Sequence, residues 1–225
     1  MSLEIIRTAD GSSSVRIVEL DECYHSRRGA LSESIHVFVR NGVEARLKQE
    51  STPERLEILE VGLGTGLNAL LTLRSVTGLT DTSVHYTALE PFPLPVEILQ
   101  DLEYAKDAEK SAFQTMHACV FGQTVRLTDR FFFTKLRSQA QHFDSASKFD
   151  LVYYDAFGPR AQPELWTPQM LAKAAGWLRP CGWLLTYCAK GVVKRAFREA
   201  GFTVVALPGP PGKREMIRII SNSSI

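Results

Sequence analysis

The stretch that most limits how this chain can fold is Leu56 to Asn68, L-E-I-L-E-V-G-L-G-T-G-L-N. A short apolar run ending at Val61 meets glycines on alternate positions, Gly62, Gly64 and Gly66, and a new apolar pattern begins at Leu67. This order predicts a buried strand, a tight glycine loop and the start of a helix. Glycine permits positive φ and has no Cβ, so the backbone there can come close to a bound molecule. Two phosphate-binding versions of such a loop do not fit. The dinucleotide pattern needs a small third residue where this chain has Leu67, and the NTPase loop needs a lysine that this one lacks. Glu60, at the end of the strand, would repel a pyrophosphate but accept hydrogen bonds from an ammonium group. The loop therefore favours S-adenosylmethionine, which carries an amino acid and a sulfonium and no phosphate.

At 225 residues and 44% hydrophobic, the chain is sized for one globular unit with a sizeable core. A formal net charge of +1 gives no global sign of a nucleic-acid binder, so any such surface must be local. No apolar run is long enough to span a membrane and the N-terminus has no signal-peptide core, so the cytoplasm is expected. The cysteines, at 23, 119, 181 and 188, form no C-x-x-C pair and the histidines show no ligand spacing, so no metal is expected. The only low-complexity tract is the polar tail Ser221 to Ser224.

Along the chain, Ile5 to Thr8 and Val15 to Leu20 read as a hairpin. A mixed segment follows and turns apolar at Ile35 to Val39, a lid or substrate-side appendage. Residues 1–52 are thus expected as an N-terminal hairpin and extension, and 53–225 as the cofactor-binding unit. Leu67 to Val76 should be a helix. His85 to Leu89 should be a strand ending at Glu90, placed to hold a ribose diol. Val96 to about His117 reads as one long amphipathic helix. Val125 to Thr128 reads as a strand ending at Asp129, suited to an adenine amine. A helix is expected around Phe132 to Gln141. Phe149 to Tyr154 is apolar as a central parallel strand should be, and it ends at Asp155. A helix over Pro168 to Leu178, a strand over Trp183 to Cys188, a helix over Val192 to Ala200 and strands at Phe202 to Ala206 and Met216 to Ile220 complete the pattern. The fold class is α/β, a doubly wound, mainly parallel sheet with an antiparallel last strand and an N-terminal β-hairpin appendage.

Such sheets bind ligands at the carboxyl ends of their strands, where Glu60, Glu90, Asp129 and Asp155 should gather. Asp155 would stand nearest the reacting atoms, in the loop D-A-F-G-P. Methylases of exocyclic base amines usually carry N/D-P-P-Y/F at this place; here the first prolines are missing, which disfavours a planar amine. Pro180-Cys181 resembles a C5-cytosine nucleophile pair but sits in a turn, where a structural role suffices. A carboxylate suits an aliphatic amine, which it can orient and relieve of a proton. Of the late basic residues, Lys190, Lys194, Arg195 and Arg198 read as a solvated helix face. Lys213 and Arg214, after a Gly-Pro loop, are better placed to meet phosphate.

Taken together, these motifs resemble the methyltransferase family of the bacterial bifunctional tRNA-modifying protein MnmC and its free-standing methylase form. E-V-G-L-G-T-G-L-N at Glu60 to Asn68 is similar to the family's E-x-G-F-G-T-G-L-N, and Y-D-A-F-G-P at Tyr154 to Pro159 to its L-D-G-F-A/S-P. P-E-L-W at Pro163 to Trp166, R-E-A-G-F at Arg198 to Phe202, G-K-R-E-M at Gly212 to Met216 and the early Y-H-S with Glu33 and H-V-F extend the likeness over nearly the whole chain. The resemblance implies a Rossmann-like class I methyltransferase that takes 5-aminomethyl-(2-thio)uridine, at the wobble position of the tRNA anticodon stem-loop, to the 5-methylaminomethyl form. It implies S-adenosylmethionine held by Glu60, Gly62, Gly64, Thr65, Gly66, Asn68, Glu90 and Asp129. Asp155 would be catalytic, and Tyr24, Phe157, Lys213 and Arg214 would lie on the substrate side. No FAD-dependent oxidase half is recognisable, so no FAD is expected and the aminomethyl substrate should be made elsewhere. Ala156 and Gly158 depart from the family loop. Two other readings stay open: an aminopropyltransferase of the spermidine-synthase kind acting on a small aliphatic amine, and a protein that binds S-adenosylmethionine or tRNA without turnover.

Overall fold

The chain begins with three short antiparallel strands, β1 (Leu3–Arg7), β2 (Ser13–Ile17) and β3 (Glu22–Cys23), in a computed structural model that describes residues 2–49, 53–78, 81–145 and 148–222. The junction expected at 52/53 and the end of the polar tail fall outside the described residues. The hairpin is present, and β3 extends it to a three-stranded sheet.

The mixed segment beyond it is helical. Helix α1 (Ala30–Ser34) runs into a π-helical stretch, Ile35–Val43, and then α2 (Glu44–Leu47). Val37, Phe38, Val39 and Val43 are buried, so this segment is part of the core. At Gly42 a Cβ would stand 3.2 Å from the Tyr153 ring, and its absence lets the helix lie close on the sheet.

The main sheet then follows: β4 (Arg55–Val61), α3 (Leu67–Val76), β5 (Ser83–Leu89), α4 (Val96–Gln100), α5 (Lys110–Ala118), β6 (Thr124–Thr128), β7 (Phe131–Leu136), β8 (Phe149–Tyr154), α6 (Pro168–Ala175), β9 (Leu178–Thr186), α7 (Gly191–Glu199), β10 (Thr203–Pro208) and β11 (Glu215–Ile220). Its spatial order is β10-β11-β9-β8-β4-β5-β7-β6. The five strands from β9 to β7 are parallel, while β6, β11 and β10 each pair antiparallel with a neighbour. Strand alternation sends Ile58, Tyr86 and Tyr153 to one face, against Phe38 and Leu70. Leu59, Val152 and Tyr154 go to the other, against Trp166, Leu171 and Phe197. Thr167 caps α6 through its hydroxyl, which accepts from the Met170 amide at 3.2 Å, with Pro168 in the first turn.

Two expected elements are corrected. The long helix over 96–117 is two helices, because the chain turns between them and Glu103 sits at a φ of 54°. The helix expected around Phe132 to Gln141 is instead β7. Phe131 and Phe133 are fully buried while Phe132 stacks on His85 from β5, a period of two that β-forming aromatics favour. The chain leaves β4 for β5 on one side and returns as β8 on the other, and the cleft opens at that switch.

Candidate active site

The glycine loop after β4 has the conformation its sequence demands. Gly62, Gly64 and Gly66 adopt φ values of 87°, 51° and 75°. A Cβ on Gly62 would stand 3.3 Å from the Asp155 carbonyl oxygen, and one on Gly64 would lie 2.8 Å from the Tyr24 ring. Glu90 closes the loop from the end of β5. One of its oxygens accepts from the Gly64 amide at 2.7 Å and the other from the Phe92 amide at 2.8 Å. Burial pushes the Glu90 pKa up, against these two bonds and the charge of Lys135. The cleft is about 500 Å³, in the usual range for small-molecule sites, and its walls include Gly62, Gly64, Thr65, Glu90 and Asp155.

Asp155 follows β8 and is tied to the sheet from behind. The Asn68 side-chain amide donates to Asp155 Oδ2 at 2.7 Å and to Glu60 Oε1 at 2.9 Å. Glu60 is fully buried and is not in the cleft wall. It shares a strand face with Ile58 and Tyr153 and reaches the cleft through Asn68, which also holds Asp155. Burial holds its carboxyl well above the usual range, opposed by the Asn68 bond and reinforced by Asp155. The Asp155 carboxyl is itself pushed up to about 7, first by burial and then by the charge of Glu33, with Asn68 and Lys213 pulling the other way.

The backbone of D-A-F-G-P is already engaged. The Tyr187 hydroxyl donates to the Ala156 carbonyl at 2.9 Å, and the Trp166 indole N–H to the Phe157 carbonyl at 2.7 Å. The Phe157 amide donates to Gln162 at 3.0 Å. The loop thus offers the cleft a carboxylate and an aromatic ring rather than a carbonyl grip. Phe157 packs edge-on to Tyr24, with centroids 5.0 Å apart.

Of the residues singled out from sequence, Gly62, Gly64, Thr65, Glu90, Asp155, Tyr24, Phe157 and Lys213 meet at the cleft. Asn68 stands behind Asp155, and Gly66 caps α3, where His117 packs so close that a Cβ would be 2.6 Å from its Nε2. Asp129 is corrected: it lies in the β6–β7 turn at the amino end of the parallel strands, 92% exposed and paired with Arg126. Because 131–136 is a strand, the reversal carries Asp129 to the wrong end of the sheet. The carboxyl end of β7 instead supplies Ser138, Gln139 and Ala140 to the cleft. Lys213 turns inward, 2.5 Å from Glu33 and 3.9 Å above the Tyr187 ring centre, so its charge is used within the protein. Arg214 is exposed and outside the cleft wall.

Of the other cleft residues, His25 and Glu33 belong to the early Y-H-S and Glu33 likeness without a role assigned to them, and Tyr187 has no local sequence signal. His25 is buried, with Nε2 2.7 Å from the Thr65 hydroxyl, and burial pushes its pKa down to about 4. Among the described residues, no group of three or more His, Cys, Asp or Glu is placed to hold a metal ion, and no helix is long and apolar enough to cross a membrane.

The cleft suits an adenosine-and-methionine donor: a loop with glycine at alternate positions, and a Glu90 carboxylate whose oxygens each keep a lone pair for a diol. Fold and cleft together are those of a Rossmann-like class I methyltransferase. Residues 102–222 match the S-adenosyl-L-methionine-dependent methyltransferase family, and the chain belongs to it; S-adenosylmethionine is its cofactor. The chain is 30% identical over 209 residues to the tRNA 5-methylaminomethyl-2-thiouridine biosynthesis bifunctional protein MnmC of Pseudomonas fluorescens, covering 88% of this chain and 32% of that one. It is also 30% identical over 211 residues to MnmC of Cupriavidus necator, covering 87% and 31%. It thus spans about a third of the length of these curated relatives and corresponds to their methyltransferase domain. Among solved structures, MNMC2 from Aquifex aeolicus superposes with a TM-score of 0.79 at 23% identity, over 99% of this chain and 71% of that one. Spermidine synthase from Thermotoga maritima gives 0.57 at 15% identity, over 98% and 69%. These two likenesses establish the fold.

Proposed function

We propose that this methyltransferase acts on tRNA in the cytoplasm, adding a methyl group to the 5-aminomethyl nitrogen of (2-thio)uridine at the wobble position to give 5-methylaminomethyl-(2-thio)uridine. The observation that carries the reading is the D-A-F-G-P loop. Its Ala156 and Phe157 carbonyls already accept from Tyr187 and Trp166, while Asp155 lines the cleft. A planar base amine gripped by a backbone carbonyl would have to share an acceptor that is already engaged, whereas an aliphatic amine has the Asp155 carboxylate. The names of the MnmC relatives point to the same nucleoside.

S-adenosylmethionine, when bound, supplies a methyl group on a positively charged sulfur. The amine must meet it as a free base, and an alkylammonium needs an acceptor for its proton. Asp155, with a pKa near 7, is partly ionised at neutral pH and can take that proton. Asp155 takes one proton, the one that masks the amine beforehand; the freed lone pair then accepts the methyl group as the neutral thioether leaves, and the product keeps its remaining nitrogen protons and departs as the secondary alkylammonium. Tyr24 and Phe157 pack edge to face in the cleft wall beside Asp155. Glu90 and Gln139 serve the adenosine end, and the exposed Arg214, with Arg28 packed along Gly212 in the same loop, is available to tRNA phosphate.

The test is transfer of labelled methyl from S-adenosylmethionine to tRNA bearing 5-aminomethyluridine. The wild type should label the wobble nucleoside, and Asp155→Ala should lose at least about a hundredfold in rate. An unlabelled nucleoside, with cofactor still bound, rules out this acceptor.

A further inference from the structure

The side chains that set the charge of Asp155 come from opposite ends of the chain. Glu33, on α1, is largely buried; its Oε1 is 2.5 Å from Lys213 Nζ and its Oε2 accepts from the Ser26 amide at 3.0 Å. Lys213 precedes β11, and its ammonium lies on the face of Tyr187, whose hydroxyl fixes the Ala156 carbonyl next to Asp155. Glu33, Lys213, Tyr187 and Asp155 all line one cleft. A lysine held on an aromatic face by a buried carboxylate cannot swing freely toward solvent, so it acts as a fixed charge.

We propose that the Glu33–Lys213 ion pair is a positioning pair for methyl transfer: it anchors the first helix to the last hairpin over Tyr187 and balances the charge around Asp155, so that Asp155 works as a base near neutral pH. The proposal rests on the reading of Asp155 as the acceptor-side base. Glu33 presents a like charge, which favours protonated Asp155, and Lys213 an opposite charge, which favours the carboxylate. The other groups facing Asp155 are Asn68 on α3, Glu60 on β4 beyond it, Tyr86 on β5 and Tyr187 after β9. Of these, burial pushes Glu60 and both tyrosines toward their neutral forms, and the charges that act on Asp155 are those of the pair.

The two members then act with opposite sign. Glu33→Gln removes the like charge and leaves Lys213 unneutralised, so the Asp155 midpoint falls. Lys213→Gln removes the positive charge and leaves Glu33 unneutralised, so the midpoint rises. Each should move by roughly 0.5–1 on the pH scale, and the double variant should fall between the two and somewhat below wild type, because Glu33 acts on Asp155 more strongly than Lys213 does. The midpoint is read directly in the purified protein, without any acceptor, by carbon-13 NMR of labelled aspartate, with the resonance assigned by its loss in Asp155→Asn. Failure of the tRNA assay therefore leaves this measurement intact. Lys213→Arg, which keeps the charge, should hold the wild-type midpoint and shows whether packing alone is responsible. Where tRNA is methylated, the rising limb of kcat/KM against pH should follow the same order. Midpoints that stay in place, or that move the same way in both single variants, overturn the proposal.

Discussion

Asn68 gives the sharpest separation between holding the cofactor and tuning the base. Its amide donates to Asp155 at 2.7 Å and to the buried Glu60 at 2.9 Å. In Asn68→Ala the Asp155 carboxylate loses a bond worth about 1.5–3 kcal/mol to a charged acceptor. At about 1.36 kcal/mol per pKa unit, that raises the midpoint by roughly 1–2. Starting from about 7, it reaches roughly 8 to 9. The ionised fraction at pH 7 then drops from about a half to between roughly a tenth and a hundredth, so methyl transfer should slow about 5- to 50-fold. The sign matters: a base with a raised pKa recovers as the pH rises, so the deficit should close above about pH 9. Single-turnover methyl transfer from pH 6 to 10 measures this, alongside the affinity for S-adenosylhomocysteine by calorimetry. The variant should bind that product within about threefold of wild type, because Asn68 is behind the cleft wall rather than in it. A deficit that is the same at every pH, or one that appears as lost product affinity, would falsify the argument and return Asn68 to the cofactor-binding role that the motif implied.

Three further outcomes follow from the geometry. Gly64→Ala forces a Cβ into the Tyr24 ring at a positive φ, so product affinity should fall by about tenfold or more, with part of it restored by adding Tyr24→Ala; an unchanged affinity in the single variant refutes the close approach. His25 and His117 both have pKa values lowered to about 4 by burial, His117 with help from Lys135. Both are protonated more readily in the unfolded chain, so their contribution is complete above about pH 6.5 and is lost as the pH falls toward 4. The melting temperature should therefore drop across that window in the wild type, and the drop should be shallower in His25→Asn/His117→Asn, as read by circular dichroism. Asp129→Ala should leave cofactor affinity within about twofold, whereas Gln139→Ala should weaken it several-fold; the reverse pattern in calorimetry would mean that the adenosine end has been misplaced.

What the sequence disclosed and what it hid divide along physical lines. Helix Leu67–Val76 and strand Phe149–Tyr154 have the bounds expected from their residues, because each is written in a local apolar pattern flanked by glycine or a charge. The break at Glu103 escaped because Leu99, Leu102 and Tyr104 are buried on both sides of it and keep an apolar spacing compatible with one helix. The phenylalanine triplet has no alternation of its own to show that it is a strand, and reading it as a helix put Asp129 at the wrong end of the sheet. At Glu60 the strand end was legible but its face was not: in a strand one residue separates the two faces, and the face is chosen by what packs on it.

The charge on Asp155 is the part least accessible to any local pattern. A carboxylate at the end of a central strand can be read from F-D-L-V-Y-Y-D, but that residue type alone implies an ionised group at neutral pH. What raises it to about 7 is enclosure by the folded chain and a glutamate on the first helix. What limits the rise is an amide beside the glycine loop and a lysine 180 positions away from that glutamate. An acid with an ordinary carboxylate pKa would be too weak a base for an alkylammonium, and one raised much further would be protonated and unable to accept at all. A base poised between those limits requires the first helix, the glycine-loop helix and the last hairpin to be assembled around it together. On the proposed reading of Asp155 as the base, the N-terminal segment belongs to the chemistry as much as the glycine loop does; its residues read as a lid or substrate-side appendage, and only the family likeness of Y-H-S and Glu33 pointed further.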